Sequence, residues 1–265
     1  MVIEFVGSGL PFTQSAVEKA ADLLGVDTCA ILAITEVETA GCGFLADRRP
    51  QILFERHIFH RLTDGRFDAI CPSVSAPTSG GYEKGGAFQY QRLALAMQLD
   101  EDAALRSTSW GLGQTMGLNA GIAGYESPAA MIADFVHSED AQLMAIARFC
   151  KKRGLARKIR ARDWSAFAHA YNGPNFSANN YDGKLKASYH CLKTGKGMDL
   201  SVRTAQVHML YLGFYSGRID GINGPATARA LRKMQSRHGL PLTATLDERT
   251  RARLHEQDAA LIGGA

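Results

Sequence analysis

Apolar positions along most of the chain recur at the three- and four-residue spacing of an α-helix, and strict strand-like alternation is scarce, so a mainly α-helical protein is predicted. Ser15 and Glu18 form an S-x-x-E pattern ahead of Ala20, Ala21, Leu23 and Leu24, and Gly25 follows, which predicts a helix with a capped start and a glycine stop. Asp27 is a good N-cap for a second helix running through Ala30, Ile31, Leu32, Ala33, Ile34 and Val37 to Gly41. Helical patterns return at Tyr90 to Leu99, Ala129 to Lys152 and Trp164 to Tyr171. Residues 63–87 contain Gly65, Pro72, Pro77, Gly80, Gly81, Gly85 and Gly86 and read as a long loop, a feature that in compact domains often serves function. The Gly195-Lys196-Gly197 break precedes a differently patterned tail and is the expected boundary between a main domain, residues 1–195, and a small second domain, residues 200–257.

Composition adds that a real core is available, with 46% hydrophobic and 21% charged residues. No apolar run reaches the roughly eighteen residues of a membrane span, and the first ten residues lack the basic start and apolar stretch of a secretory leader. Synthesis in the cytoplasm without a signal peptide or transmembrane segment is therefore expected. Charge is unevenly spread: residues 1–147 carry 9 Lys/Arg against 18 Asp/Glu, residues 148–198 carry 12 against 2, and residues 199–265 carry 9 against 6. The basic run from Arg148 through Lys151, Lys152, Arg153, Arg157, Lys158 and Arg160 to Arg162 reads either as a solvated helix face or as a patch attracted to an anionic surface. No nucleic-acid-binding module accompanies it, so nucleic acid is not an expected partner. Five cysteines without a C-x-x-C pair predict reduced thiols, with Cys42 read as a small core residue rather than a nucleophile. Glu55, His57 and His60 offer metal-ligand types at close spacing but lack the H-E-x-x-H order of zinc peptidases, and no metal is expected.

Helical phase separates two glutamates at the end of the second helix. Glu38 lies four residues after Ile34 and seven after Ile31 and continues their stripe, whereas Glu36 points away. A carboxyl group on an apolar stripe is partly desolvated, which raises its pKa and lets it hold a proton near neutral pH, as a general acid must. The alternative from phase alone is a helix-end residue that frays into solvent or caps a loop.

The stretch Val37-Glu38-Thr39-Ala40-Gly41-Cys42-Gly43-Phe44, followed by Ile52-Leu53-Phe54-Glu55-Arg56-His57-Ile58-Phe59, resembles the start of the N-acetylmuramidase family of phage endolysins. Ser107 to Gln114 (S-T-S-W-G-L-G-Q), then Met116-Gly117-Leu118-Asn119, is similar to that family's S-W-G-x-x-Q-x-x-G-x-N segment. Ala170-Tyr171-Asn172-Gly173 is similar to an A-Y-N-G element shared with goose-type lysozymes and lytic transglycosylases. The resemblance spans roughly residues 25–195 and implies a lysozyme-like α-helical catalytic domain. By position it implies Glu38 as the general acid, Glu55 as the second carboxylate, and Tyr125, in Ala123-Gly124-Tyr125-Glu126, as a further active-site residue. Substrate binding would fall to Ser109, Trp110, Gly111, Gln114, Tyr171 and Asn172. Thr39 stands where the family commonly has Ser and keeps the hydroxyl.

The tail carries Leu212-Gly213-Phe214-Tyr215, Ile219-Asp220-Gly221, Gly224-Pro225-Ala226-Thr227 and Leu246-Asp247-Glu248-Arg249-Thr250 and looks like the common three-helix peptidoglycan-binding domain. Its second helix is expected to start near Pro225, while Ala244 stands where that family often has Gly and Met234 where an aromatic is common. Together the resemblances imply a monomeric, cofactor-free endolysin acting on bacterial peptidoglycan. It would cleave the β-1,4 bond between N-acetylmuramic acid and N-acetylglucosamine. A lytic transglycosylase forming 1,6-anhydro products and an inert wall-binding protein are the alternatives.

Overall fold

The computed structural model describes residues 4–38, 41–82, 84–173 and 180–263; the side chains of Glu38 and Asn172 also lie outside the described set. In chain order the elements begin with helices α1 (Gln14–Leu24) and α2 (Thr28–Glu38), strand β1 (Ile52–Phe54), and helices α3 (Arg56–Leu62), α4 (Phe88–Leu99) and α5 (Glu101–Arg106). Strands β2 (Thr108–Trp110) and β3 (Thr115–Met116) follow, then a 3-10 turn at Gly117–Asn119 and helices α6 (Ala120–Ala123), α7 (Pro128–Phe135) and α8 (Glu139–Lys152). The remainder is helical: α9 (Ala156–Arg160), α10 (Trp164–Asn172), α11 (Tyr181–Lys193), α12 (Leu200–Tyr211), α13 (Pro225–Arg237) and α14 (Glu248–Gly263). None of the described helices is long and apolar enough to cross a membrane.

Packing divides the chain into two compact units, one of residues 1–10 and 43–154 and the other of residues 11–42 and 155–265. The first unit is built around a three-stranded antiparallel sheet in the order β1-β2-β3 that the helical periodicity did not announce, because its strands are only two or three residues long. Register pairs Ile52 with Trp110, Leu53 with Ser109 and Phe54 with Thr108. Phe54, Phe59, Leu93, Trp110, Met131, Ile132 and Phe135 form the fully buried core. The expected continuous helix from Ala129 to Lys152 is two helices. Ser138 between them is extended (φ −158°, ψ 150°), caps Ala141 N at 3.3 Å and pairs with Leu10 in a parallel bridge.

In the second unit the N-cap of α1 is Thr13, which accepts from Ala16 N at 3.1 Å, two residues ahead of the expected Ser15. Asp27 caps α2 as expected, accepting from Ala30 N at 2.9 Å. Helix α2 packs against α1 and α11, and Ala30, Ile31, Leu32, Ala33, Ile34 and Thr35 are all buried. A helix buried on every side does not have the single apolar stripe from which Glu38 was distinguished.

The tail repeats one device twice. Gln206 on α12, with no exposed surface, accepts from Asp220 N (3.0 Å) and Gly221 N (2.8 Å) and donates to Thr227 Oγ1 (2.9 Å). Gln235 on α13, equally buried, accepts from Ala244 N (3.0 Å) and donates to Thr250 Oγ1 (3.1 Å) and Thr243 Oγ1 (2.9 Å). Each glutamine thus ties the loop after its helix to the first turn of the next, answering the rule that buried polar groups be paired. Gly221 (φ 71°) and Ala244 (φ 57°) occupy matching left-handed positions, which explains why glycine is common where Ala244 stands. Helix α13 begins at Pro225, as expected.

Candidate active site

Glu55 occupies the corner where β1 ends and α3 begins. Its backbone is still extended (φ −102°, ψ 91°), so the two-residue period of the strand continues and Glu55 shares the face of Leu53, opposite the buried Ile52 and Phe54. Across the register that face carries Ser109 and then Met116. Its N–H donates to Ser107 O at 2.9 Å, fixing the corner against the start of β2.

Two side chains meet the Glu55 carboxylate, whose side chain is 16% exposed. The Tyr82 hydroxyl donates to one oxygen at 3.0 Å, and His57 Nδ1 lies 3.3 Å from that same oxygen. Burial, followed by the neighbouring Glu55 charge, pushes the Tyr82 phenol above its ordinary value, so it remains a protonated donor. Tyr82 belongs to the long loop before α4, and a fully buried glutamine holds it there: Gln89 donates to Tyr82 O (2.7 Å) and Lys84 O (2.8 Å) while its Oε1 accepts from Phe54 N (3.1 Å). Arg92, one turn along α4, donates to Phe54 O (3.3 Å) and Ser73 O (2.8 Å). Gly81, at φ 66°, packs on the Arg56 guanidinium so closely that a Cβ would come 2.6 Å from its central carbon. The positive φ favours glycine here, while the guanidinium, at the end of a flexible side chain, could move aside.

The Ser109–Gln114 segment forms the neighbouring turn. Ser109 Oγ lies 3.0 Å from Gln114 Oε1, and Gln114 Nε2 donates to Gly111 O (2.9 Å) and Gln51 O (3.2 Å). Gly111 (φ 67°) lies against the amide of the fully buried Gln142, which accepts from Leu112 N at 2.6 Å. Gln114 is exposed and open to a ligand role, whereas Ser109 is 5% exposed and its hydroxyl is spent on Leu53 O (3.3 Å) and Gln114. Trp110 is not open to one either: it has no exposed surface, stacks with Phe5 at 5.7 Å between ring centres and donates Nε1–H to Leu105 O at 3.3 Å. Its expected contact with substrate gives way to a core role, because strand alternation turns it inward beside Ile52.

Tyr125 is half-buried, donates to Asp134 at 2.7 Å, meets Phe135 edge-on at 5.9 Å and lies under the Arg148 guanidinium at 5.8 Å. Burial and the Asp134 carboxylate raise its pKa. These partners are distinct from those of Glu55. His60 turns away from His57 to meet Asp68 at 2.8 Å, and Asp68 also accepts from Ser75. Among the described residues no three His, Cys, Asp or Glu side chains are arranged to hold a metal ion. Cys42 is buried and takes part in no disulfide.

In the second unit Glu38 is the last residue of α2, and its side chain lies outside the described residues, as does that of Asn172 at the end of α10. Tyr171 is half-buried and stacks on Phe167 at 5.4 Å. Glu36 does not face solvent as phase suggested: it is half-buried and accepts from Ser188 Oγ on α11 at 2.7 Å.

Comparison with known proteins decides the family. The N-acetylmuramidase model matches residues 27–193. The chain belongs to the N-acetylmuramidase family. A putative peptidoglycan binding domain model matches residues 199–254, so this muramidase-family chain ends in a second recognisable module. Among solved structures it is similar to the Burkholderia AP3 phage endolysin, with 38% identity, a TM-score of 0.66, and coverage of 69% of this chain and 71% of that one. A curated relative from Nostoc punctiforme, described as a putative OxPP cycle protein OpcA, is 52% identical over 48 residues, 18% of this chain and 10% of that protein. The chain thus spans about a tenth of the length of that curated relative.

Proposed function

We propose that this muramidase-family protein is an endolysin-type peptidoglycan hydrolase that cleaves the β-1,4 bond between N-acetylmuramic acid and N-acetylglucosamine, with residues 1–195 catalytic and residues 200–257 binding the wall. The observation that carries the reading is the Glu55 corner inside a family-matched chain: a carboxylate on a rigid strand end, oriented by a tyrosine hydroxyl, beside an exposed Gln114 turn. Glycoside cleavage through an oxocarbenium-like transition state calls for an acid that protonates the leaving oxygen and a second carboxylate that stabilises or activates. Glu38 takes the first role and Glu55 the second, with Tyr82 keeping one Glu55 oxygen fixed. Gln114, Tyr171 and Asn172 supply polar and aromatic contacts to the sugar chain. Tyr125 serves through its pairing with Asp134.

Mass spectrometry of fragments from purified sacculi tests the reading. Reducing N-acetylmuramic acid ends are expected. 1,6-Anhydro ends would establish the transglycosylase instead, and no released ends with retained sedimentation would leave a wall-binding protein.

A further inference from the structure

The tail does more in this unit than follow the catalytic sequence: Arg218 meets the last turn of α2, and Arg203 and Ile219 meet Gly41, three residues beyond the end of that helix. Arg203 on α12 is 1% exposed, its guanidinium lies 3.9 Å over the Phe12 ring, and it donates to Gly41 O at 2.7 Å. Gly41 itself (φ 104°) is packed so tightly on the Ile219 backbone that a Cβ would approach Ile219 O to 2.5 Å. Arg218 donates to Glu36 O at 3.2 Å, one of the last-turn carbonyls of α2. The final carbonyls of a helix have no partner within it and carry the negative end of its dipole, so a cationic donor such as Arg218 at Glu36 O stabilises that end. A buried guanidinium is costly unless hydrogen-bonded, which makes the Arg203 contact hard to give up.

We infer that the C-terminal module is a positioning element for the acid-bearing helix, with Arg203 and Arg218 as positioning residues that hold the end of α2 on either side of Glu38. The inference rests on the reading of Glu38 as the acid. Turnover then depends on residues of the tail that have no part in wall binding. The tail sets the geometry of a catalytic group whether or not the wall is engaged.

The experiment measures kcat and KM of the full-length protein on soluble glycan-peptide oligomers, alongside sedimentation with sacculi and thermal melting, for Arg203→Gln, Arg203→Lys, Arg218→Gln and the exposed tail control Arg229→Gln. Displacing a catalytic group by about 1 Å can cost up to about a hundredfold, so Arg203→Gln should lower kcat about tenfold or more with KM little changed. Arg203→Lys, which can still reach a carbonyl, should recover part of the loss. Arg218→Gln should lower kcat a few-fold without changing sacculus binding, and Arg229→Gln should do neither. If Arg203→Gln does not fold, the surface variant Arg218→Gln decides. Unchanged kcat in folded variants, or a loss confined to sacculus binding, overturns the inference. An inactive wild-type protein would instead sink the hydrolase reading beneath it.

Discussion

The two carboxylates assigned to catalysis are held in different ways. Glu55 sits at a strand end and is fixed through side chains, with Tyr82 on its oxygen and Gln89 pinning both the loop that supplies Tyr82 and the backbone beside Glu55. Glu38 ends a helix whose middle, Ala30 to Thr35, is buried, and tail residues meet Glu36 O in its last turn and Gly41 O just beyond it, so its backbone is fixed through packing and hydrogen bonds to the backbone. A carboxylate clamped by its own partners is sensitive to single polar substitutions nearby. One carried on a buried helix is sensitive to whatever holds the helix.

The largest effect at the sheet corner is expected from Glu55→Gln, which keeps shape but removes the charge. Acid-base contributions of this type are about 10²- to 10⁴-fold, so turnover on soluble oligomers should fall about a hundredfold or more while circular dichroism is unchanged. Near-normal turnover would remove Glu55 from the chemistry and end the comparison. Tyr82→Phe asks how much of that role depends on the clamp. Hydrogen bonds to charged groups contribute on the order of 1.5–3 kcal/mol, and solvent access at this position reduces that, so a threefold to tenfold loss of kcat is expected. Because the phenol is raised above its ordinary value, it stays a donor throughout the neutral range. Its removal should therefore leave the shape of the pH profile between about pH 5 and 9 unaltered. A new limb in that range would show that Tyr82 exchanges a proton.

Much of this was legible in the sequence, and the failures have physical causes. Asp27, Gly25 and Pro225 act locally, through caps, a left-handed stop and a first-turn ring, and each stands where the pattern placed it. The sheet was hidden because its strands are too short for alternation to register. Tyr82 and Gln89 were missed because their partners lie in other segments; the available signal was a pair of polar residues, Gln89 and Arg92, interleaved with the buried Tyr90, Leu93 and Ala96 of one helix. Trp110 was expected to contact substrate because it belongs to a motif, but register turns it into the core. Glu36 looked solvated because phase analysis assumes a helix with one wet face, which α2 does not have.

The smallest effect separates the two glutamine clamps of the tail. Gly221 accepts its left-handed backbone without strain and Ala244 does not, at a cost of about 1 kcal/mol for a residue bearing a Cβ. Ala244→Gly should therefore stabilise the protein by somewhat less than that, since glycine also loosens the unfolded chain. Chemical denaturation measures it. No gain, or a loss, would mean that the methyl group, 8% exposed, contributes more by packing than the strain takes away.

The central claim is that Glu38 carries the proton in glycosidic cleavage and Glu36 does not, and one matched pair of substitutions tests it directly. Turnover of soluble oligomers by Glu38→Gln should fall about a hundredfold or more, within the range of general-acid catalysis, with the melting temperature preserved. Glu36→Gln should retain most of its turnover and show its cost in melting temperature, through the weakened bond to Ser188. A folded Glu38→Gln protein with near-normal turnover, or a Glu36→Gln protein that is stable and inactive, would contradict the account.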